Sequence, residues 1–155
     1  MKIDSFNSWL IDDNRKSLIM GILNVTPDSF SDDGKYNDSQ NAVAYALKME
    51  DEGADIIDIG GESTRPGARA VTIEEELNRV IPVIKGIRKN SNIVISIDTY
   101  KSGVADKAIK SGANIINDIS GLRFDNDTIR LASELQVPVI VMHMLGNPQN
   151  MQNDP

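Results

Sequence analysis

The sequence predicts an α/β chain of the (β/α)8 TIM-barrel class, with its 155 residues supplying about the first five βα units. Three observations carry that expectation. Short apolar, β-branched runs recur at 18–23, 56–59, 93–97, 115–116 and 137–142, and the segments between them have helical spacing. Each run ends in polar residues: Asn24, Asp58 with Glu62, Asp98, Asn117 with Asp118, and His143. The stretch Gly53-Ala54-Asp55-Ile56-Ile57-Asp58 also returns as Gly112-Ala113-Asn114-Ile115-Ile116-Asn117, each copy closing a helix and opening a strand. Parallel strands are normally apolar throughout, so polar groups at successive C-terminal ends suggest one shared site. An open doubly wound sheet gathers its site at one switch point, whereas a closed barrel uses many strand ends. Five contributing strands favour the barrel.

Each element has its own local justification. Residues 1–17 carry Phe6, Trp9, Leu10 and Ile11, apolar enough to cover the bottom of a barrel with Trp9 as anchor, and 18–155 form the barrel itself. The first apolar run breaks into Asn24-Val25-Thr26-Pro27-Asp28-Ser29-Phe30-Ser31-Asp32-Asp33-Gly34, a polar loop at the ligand-binding edge built from ordinary turn formers. Asp38 or Ser39 can cap a helix carrying Val43, Ala46, Leu47 and Met49, and Gly53 suits its C-terminal cap. Thr72 and Glu75 form a capping box, with Leu77, Val80, Ile81, Ile84 and Ile87 along one face. Pro82 lies inside that pattern and predicts a kink or a break into two pieces. Ser102 can start a third helix ending near Gly112, and Asp127 a fourth with Ile129, Leu131, Ala132 and Leu135. A complete barrel takes roughly 250 residues. The sequence ends at Asn153-Asp154-Pro155 in a polar loop after the fifth run, so it reads as the front part of a longer protein.

Composition narrows the class. At 40% hydrophobic and 25% charged the chain is an ordinary globular domain. It lacks any apolar run of about 18 residues and any signal-peptide core, which points to a cytoplasmic protein with no membrane span. The absence of cysteine excludes disulfides, thiolate metal sites and a cysteine nucleophile. A net charge of −7 argues against nucleic acid and anionic membranes, so an anionic ligand must be held by a local cluster.

The second polar loop, Gly60-Gly61-Glu62-Ser63-Thr64-Arg65-Pro66-Gly67-Ala68, offers close backbone approach, two hydroxyls and a guanidinium to a phosphate or carboxylate. No GxGxxG and no Walker-type Gly-Lys-Ser/Thr accompanies it. Met20-Gly21-Ile22-Leu23-Asn24-Val25-Thr26-Pro27-Asp28-Ser29-Phe30-Ser31-Asp32 and Asp58-Ile59-Gly60-Gly61-Glu62-Ser63-Thr64-Arg65-Pro66-Gly67 resemble the two signature segments of dihydropteroate synthase. Ser96-Ile97-Asp98-Thr99, Ile116-Asn117-Asp118-Ile119-Ser120-Gly121 and Met142-His143-Met144-Leu145-Gly146-Asn147-Pro148 resemble its next three strand ends, in order. The resemblance implies a pterin-binding (β/α)8 barrel. That family condenses 6-hydroxymethyl-7,8-dihydropterin diphosphate with 4-aminobenzoate, releasing diphosphate and 7,8-dihydropteroate for folate synthesis, and is a sulfonamide target.

The same resemblance distributes roles. Asp98 would take two N–H donors of the pterin, with Asn117 matching its mixed donor and acceptor edge. A helix cap for the Ser102 helix is the rival role for Asp98. Asn24 would contact Mg2+ carried by the diphosphate, for which a neutral oxygen is suitable. Thr64, Arg65 and Pro66, with Asp28, Ser29 and Phe30, would close over the site and form the aminobenzoate pocket. Thr64 and Arg65 are thereby counted with Asp98 and Asn117 as catalytic residues. Met142 would line the pterin pocket, and His143 is left out of the site. In the family the carbon–oxygen bond breaks before the aniline nitrogen attacks, so no strong general base is required. The family's late-strand Asp, Lys and Arg-x-His have no counterpart in this sequence, so activity is expected only of the complete barrel, a homodimer through its last helices. The alternative reading is a pterin-binding domain of a folate- or corrinoid-dependent methyltransferase, whose loops would not carry both signature segments.

Overall fold

Runs of Ile and Val favour the pleated, half-buried surface of a sheet, and here they form five strands. These are β1 (Met20–Asn24), β2 (Ile56–Gly60), β3 (Val94–Asp98), β4 (Ile115–Asp118) and β5 (Val139–Val141). Between and before them lie α1 (Ile3–Leu10), α2 (Lys35–Asp51), α3 (Ile73–Arg88), α4 (Ser102–Lys110) and α5 (Asp127–Leu135). The structure, a computed structural model, describes residues 1–26, 35–63 and 70–142. All neighbouring strands are parallel and the sheet order is β1-β2-β3-β4-β5. A strictly sequential order has no switch point. It is the order in which a barrel is wound, and it rules out the doubly wound alternative.

Alternation along the strands divides their side chains between two faces. Leu23, Ile57, Ile59, Ile95, Ile97 and Ile116 point to the helices and pack with Ala42, Ala46, Val80, Val83, Ile84, Ile87, Val104 and Ala108. Each of these isoleucines is fully buried, a stabilisation of roughly 2 kcal/mol apiece. The opposite face is layered by register. Met20, Ile56 and Val94 lie lowest, then Ile22, Asp58, Ser96 and Ile115, then Asn24, Gly60, Asp98 and Asn117.

The internal repeat has a definite job. Gly53 (φ 107°) and Gly112 (φ 118°) take the left-handed conformation that ends a helix. Two residues later the Asp55 N–H donates to Ile19 O while its carboxylate accepts the Ile19 N–H. Asn114 makes the same reciprocal pair with Ile95. Each copy therefore sets the register of the strand it opens. Arg88, at the end of α3, reinforces the second copy by donating to Gly112 O (2.7 Å), Ile93 O (2.6 Å) and Asn114 Oδ1 (2.6 Å).

Several local expectations change. The predicted break at Pro82 does not occur, since α3 runs through it as one helix. The Thr72–Glu75 capping box fixes its start, and Val80, Val83, Ile84 and Ile87 bury both sides of the proline. α2 begins at Lys35, ahead of the expected Asp38 or Ser39 cap; such residues are tolerated in a first helical turn. The segment 1–17 contains a helix, α1, which the sequence did not signal. Phe6, not Trp9, is its anchor: Phe6 is buried against Ile56, Val94 and Ile115 at the lower ends of the strands, with Trp9 at the rim. Trp9 is partly buried and stacks on Phe6, while its ring N–H donates to Lys16 O (2.6 Å) and its face carries Arg15.

Candidate active site

The C-terminal strand ends bring Asn24, Gly60, Asp98 and Asn117 to one level on four adjacent strands. Gly60 keeps that level open. A Cβ there would come within 3.4 Å of both Asn24 Oδ1 and Asp98 Oδ2, filling the space between them. Asp98 is half-buried and makes no side-chain hydrogen bond to another of the described residues. The Ser102 N–H at the start of α4 goes instead to Asp125 Oδ2 (2.8 Å), so Asp98 is not that helix's cap. Burial first, then the charges of Asp58, Glu76, Asp118 and Glu62, pushes the Asp98 carboxyl up to about 7. A carboxylate held that high gains most from a ligand that supplies N–H donors.

Beneath it lies a second acidic group. Asp58, 6% exposed, accepts the Asn117 Nδ2–H at 3.1 Å through Oδ2. Its Oδ1 and the hydroxyl of the adjacent Ser96 make no hydrogen bond among the described residues. Burial raises the Asp58 pKa, opposed by the neighbouring Ser96 and Asn117 side chains.

On the outer side of β2 and β3 a cluster anchors the loops that leave them. Lys101 Nζ donates to Glu62 and to Glu76 Oε2 (2.6 Å), and Tyr100 Oη donates to Glu62 Oε1 at 2.9 Å. Gly61 presses against α3, where a Cβ would meet Val80 at 2.8 Å and Glu76 at 2.9 Å, and its carbonyl accepts from Arg79 (2.7 Å). Glu62 was legible as a strand-end residue; its partners Tyr100, Lys101 and Glu76 carried no motif of their own.

Of the residues singled out from sequence, Asn24, Asp98 and Asn117 come together. Met142 follows β5 half-buried, its N–H bonded to Asp118 O at 3.2 Å. Asp28, Ser29, Phe30, Thr64, Arg65, Pro66 and His143 lie outside the described residues. Asp58 was counted from sequence among the polar strand ends of a shared site but was given no role of its own. Its signal was the repeat, which aligns Asp58 with Asn117 as the last member of each copy.

The donor set allows limited metal chemistry. Among the described residues no group of three or more His, Asp or Glu side chains could cage an ion. One neutral oxygen from Asn24 suits Mg2+ that arrives on a phosphate and keeps most of its other ligands.

Comparison with known proteins identifies the lineage. A family model described as pterin binding enzyme matches residues 20–155. Dihydropteroate synthase of Bacillus subtilis is 55% identical over 139 residues, 90% of this chain and 48% of that protein. Among solved structures, dihydropteroate synthase from Clostridium difficile in the presence of pteroic acid superposes with a TM-score of 0.83 at 50% identity, covering 87% of this chain and 51% of its own. The Xanthomonas albilineans synthase with 4-aminobenzoic acid gives 0.79 at 48% identity, with 85% and 49% covered. The chain thus spans about half the length of the relatives it matches, and the five strands correspond to the first part of their barrels. On the family match and these identities, the chain belongs to the pterin binding enzyme family.

Proposed function

We propose that the complete protein carrying this chain is a dihydropteroate synthase, joining 6-hydroxymethyl-7,8-dihydropterin diphosphate to 4-aminobenzoate. The observation that carries the reading is Asp98, an acceptor without a described side-chain partner, standing level with Asn117 at the strand ends. Ionised Asp98 accepts two adjacent N–H groups of the pterin, and Asn117 meets its mixed edge with one acceptor and one donor. Relatives near 50% identity, solved in the presence of pteroic acid or with 4-aminobenzoic acid, support the same ligands.

Asn24 offers its oxygen to Mg2+ borne by the diphosphate. When bound, that ion neutralises the leaving group. The carbon–oxygen bond breaks with its electron pair on the diphosphate, the aniline nitrogen attacks the methylene carbon, and the nitrogen then loses a proton. Phe30 and Pro66 would wall the aminobenzoate site, Met142 the pterin, and Asp28, Ser29, Thr64 and Arg65 would contact the substrates. The same reading makes the full-length protein a cytoplasmic homodimer and a sulfonamide target, on the strength of the family resemblance.

The test is calorimetry on the full-length protein. Pteroic acid should bind, and in the presence of 6-hydroxymethylpterin and diphosphate a sulfonamide should compete with 4-aminobenzoate. Binding of a pterin with no aminobenzoate site would overturn the synthase in favour of a methyltransferase-type pterin domain.

A further inference from the structure

Two acidic side chains sit on the inner face of the sheet near its upper end, yet only one is at ligand level. Asp58 lies one register layer below Asp98, almost wholly buried, with Oδ2 bound to the Asn117 amide and Oδ1 without a partner among the described residues. An ionised carboxylate can only accept, so the amide can meet it only through its NH2 end. That turns Asn117 Oδ1 away from Asp58. An amide with no such partner has two orientations of nearly equal cost, and half of its population would present the wrong atom to a ring that needs a fixed order of donors and acceptors.

We infer that Asp58 is a positioning residue for the pterin-class ring: it acts through Asn117, holding that amide in the one orientation the ligand can read. This rests on the pterin reading proposed above. The burial of a carboxylate in a layer otherwise made of Ile22, Ser96 and Ile115 is costly and adds little stability, so specificity is the use that accounts for it. Asp58 also bears on Asp98 by charge. Among the described residues the groups facing Asp98 are Asp58 on β2, Glu62 on the loop after β2, Glu76 on α3 and Asp118 on β4, all acidic, with Lys101 engaged by Glu62 and Glu76. Removing the Asp58 charge therefore eases the ionisation of Asp98 while it releases Asn117. The two consequences have separate signatures.

The experiment is a double-mutant cycle of Asp58→Asn and Asn117→Ala in the full-length protein, read by calorimetric affinity for pteroic acid between pH 5 and 8, with thermal melting as the check of fold. At pH 8 Asp58→Asn should weaken binding about fivefold to tenfold, the worth of one oriented hydrogen bond. In the Asn117→Ala background it should add nothing further. The acidic limb of the binding profile should move to lower pH, since Asp98 has lost a like-charged neighbour. Asp58→Ala carries the same cycle if Asp58→Asn does not accumulate folded. Additive losses, or an unmoved limb, would overturn the inference and leave the pterin reading standing. Failure of the unsubstituted protein to bind pteroic acid would overturn both.

Discussion

Asp98 is the residue whose chemistry was most legible in advance and whose behaviour is most open to test. The motif Ser96-Ile97-Asp98-Thr99 places a carboxylate at a strand end, and the structure leaves its oxygens without a described side-chain partner. Asp98→Asn should cost roughly 2–4 kcal/mol of pterin affinity, the value of a charge-assisted pair, with the fold intact by circular dichroism. It should also stabilise the ligand-free protein. The folded pKa of about 7 lies above the ordinary 3.8, so the stability that comes with the proton is full below pH 3.8 and is lost as pH rises to about 7. Above pH 7 the asparagine variant should melt higher, by on the order of 2 kcal/mol at this half-buried site. A lower melting temperature at pH 8 would show that Asp98 is held ionised by something else. The role of Asp58 was harder to read, because only the register shows that this strand-end carboxylate lies one layer beneath Asp98 rather than level with it.

Elements were legible where one physical signal dominated. The strand positions follow from β-branched runs, and the ends of α2 and α4 from glycines that occupy the left-handed conformation. α1 was missed because eight residues with one buried phenylalanine give too little periodicity to distinguish helix from loop. Pro82 does not break α3 in two, because packing on both sides of it outweighs one missing backbone hydrogen bond. The strongest inter-element tie, Arg88, could not be seen at all, since its acceptors at Ile93, Gly112 and Asn114 are brought to it only by the fold. Burial lowers its pKa, with Glu50 acting in the opposite direction. Arg88→Met leaves the carbonyls of Ser91, Ile93 and Gly112 without that donor. It should destabilise by about 3 kcal/mol in urea unfolding, with pteroic acid affinity changed less than twofold, because these contacts lie at the lower ends of the strands. A loss of affinity larger than the loss of stability would show that the lower end is coupled to the site.

At the scale of the molecule, the barrel class was legible because polar strand ends recur in chain order, and the sheet order matches it strand for strand. A verified 155-residue product should show no synthase turnover. Its matched relatives are about twice as long, among the described residues β1 and β5 each pair on one side only, and Ile22 on the inner face is 66% exposed. Turnover comparable to a full-length relative would make the remaining strands dispensable. The sequential sheet order also bears on how the chain acquires its structure. Every strand pairs with one already made, and the principal helix contacts join α2 to α3, α3 to α4 and α4 to α5. Among the five strands none must wait for a distant partner to be synthesised, so loop-closure entropy is met in small steps, whereas α1 docks only once Ile56, Val94 and Ile115 have been made. On the ribosome each βα unit can add to a finished edge as it emerges, and pulse-labelled hydrogen exchange of arrested nascent chains should show protection spreading from β1 toward β5.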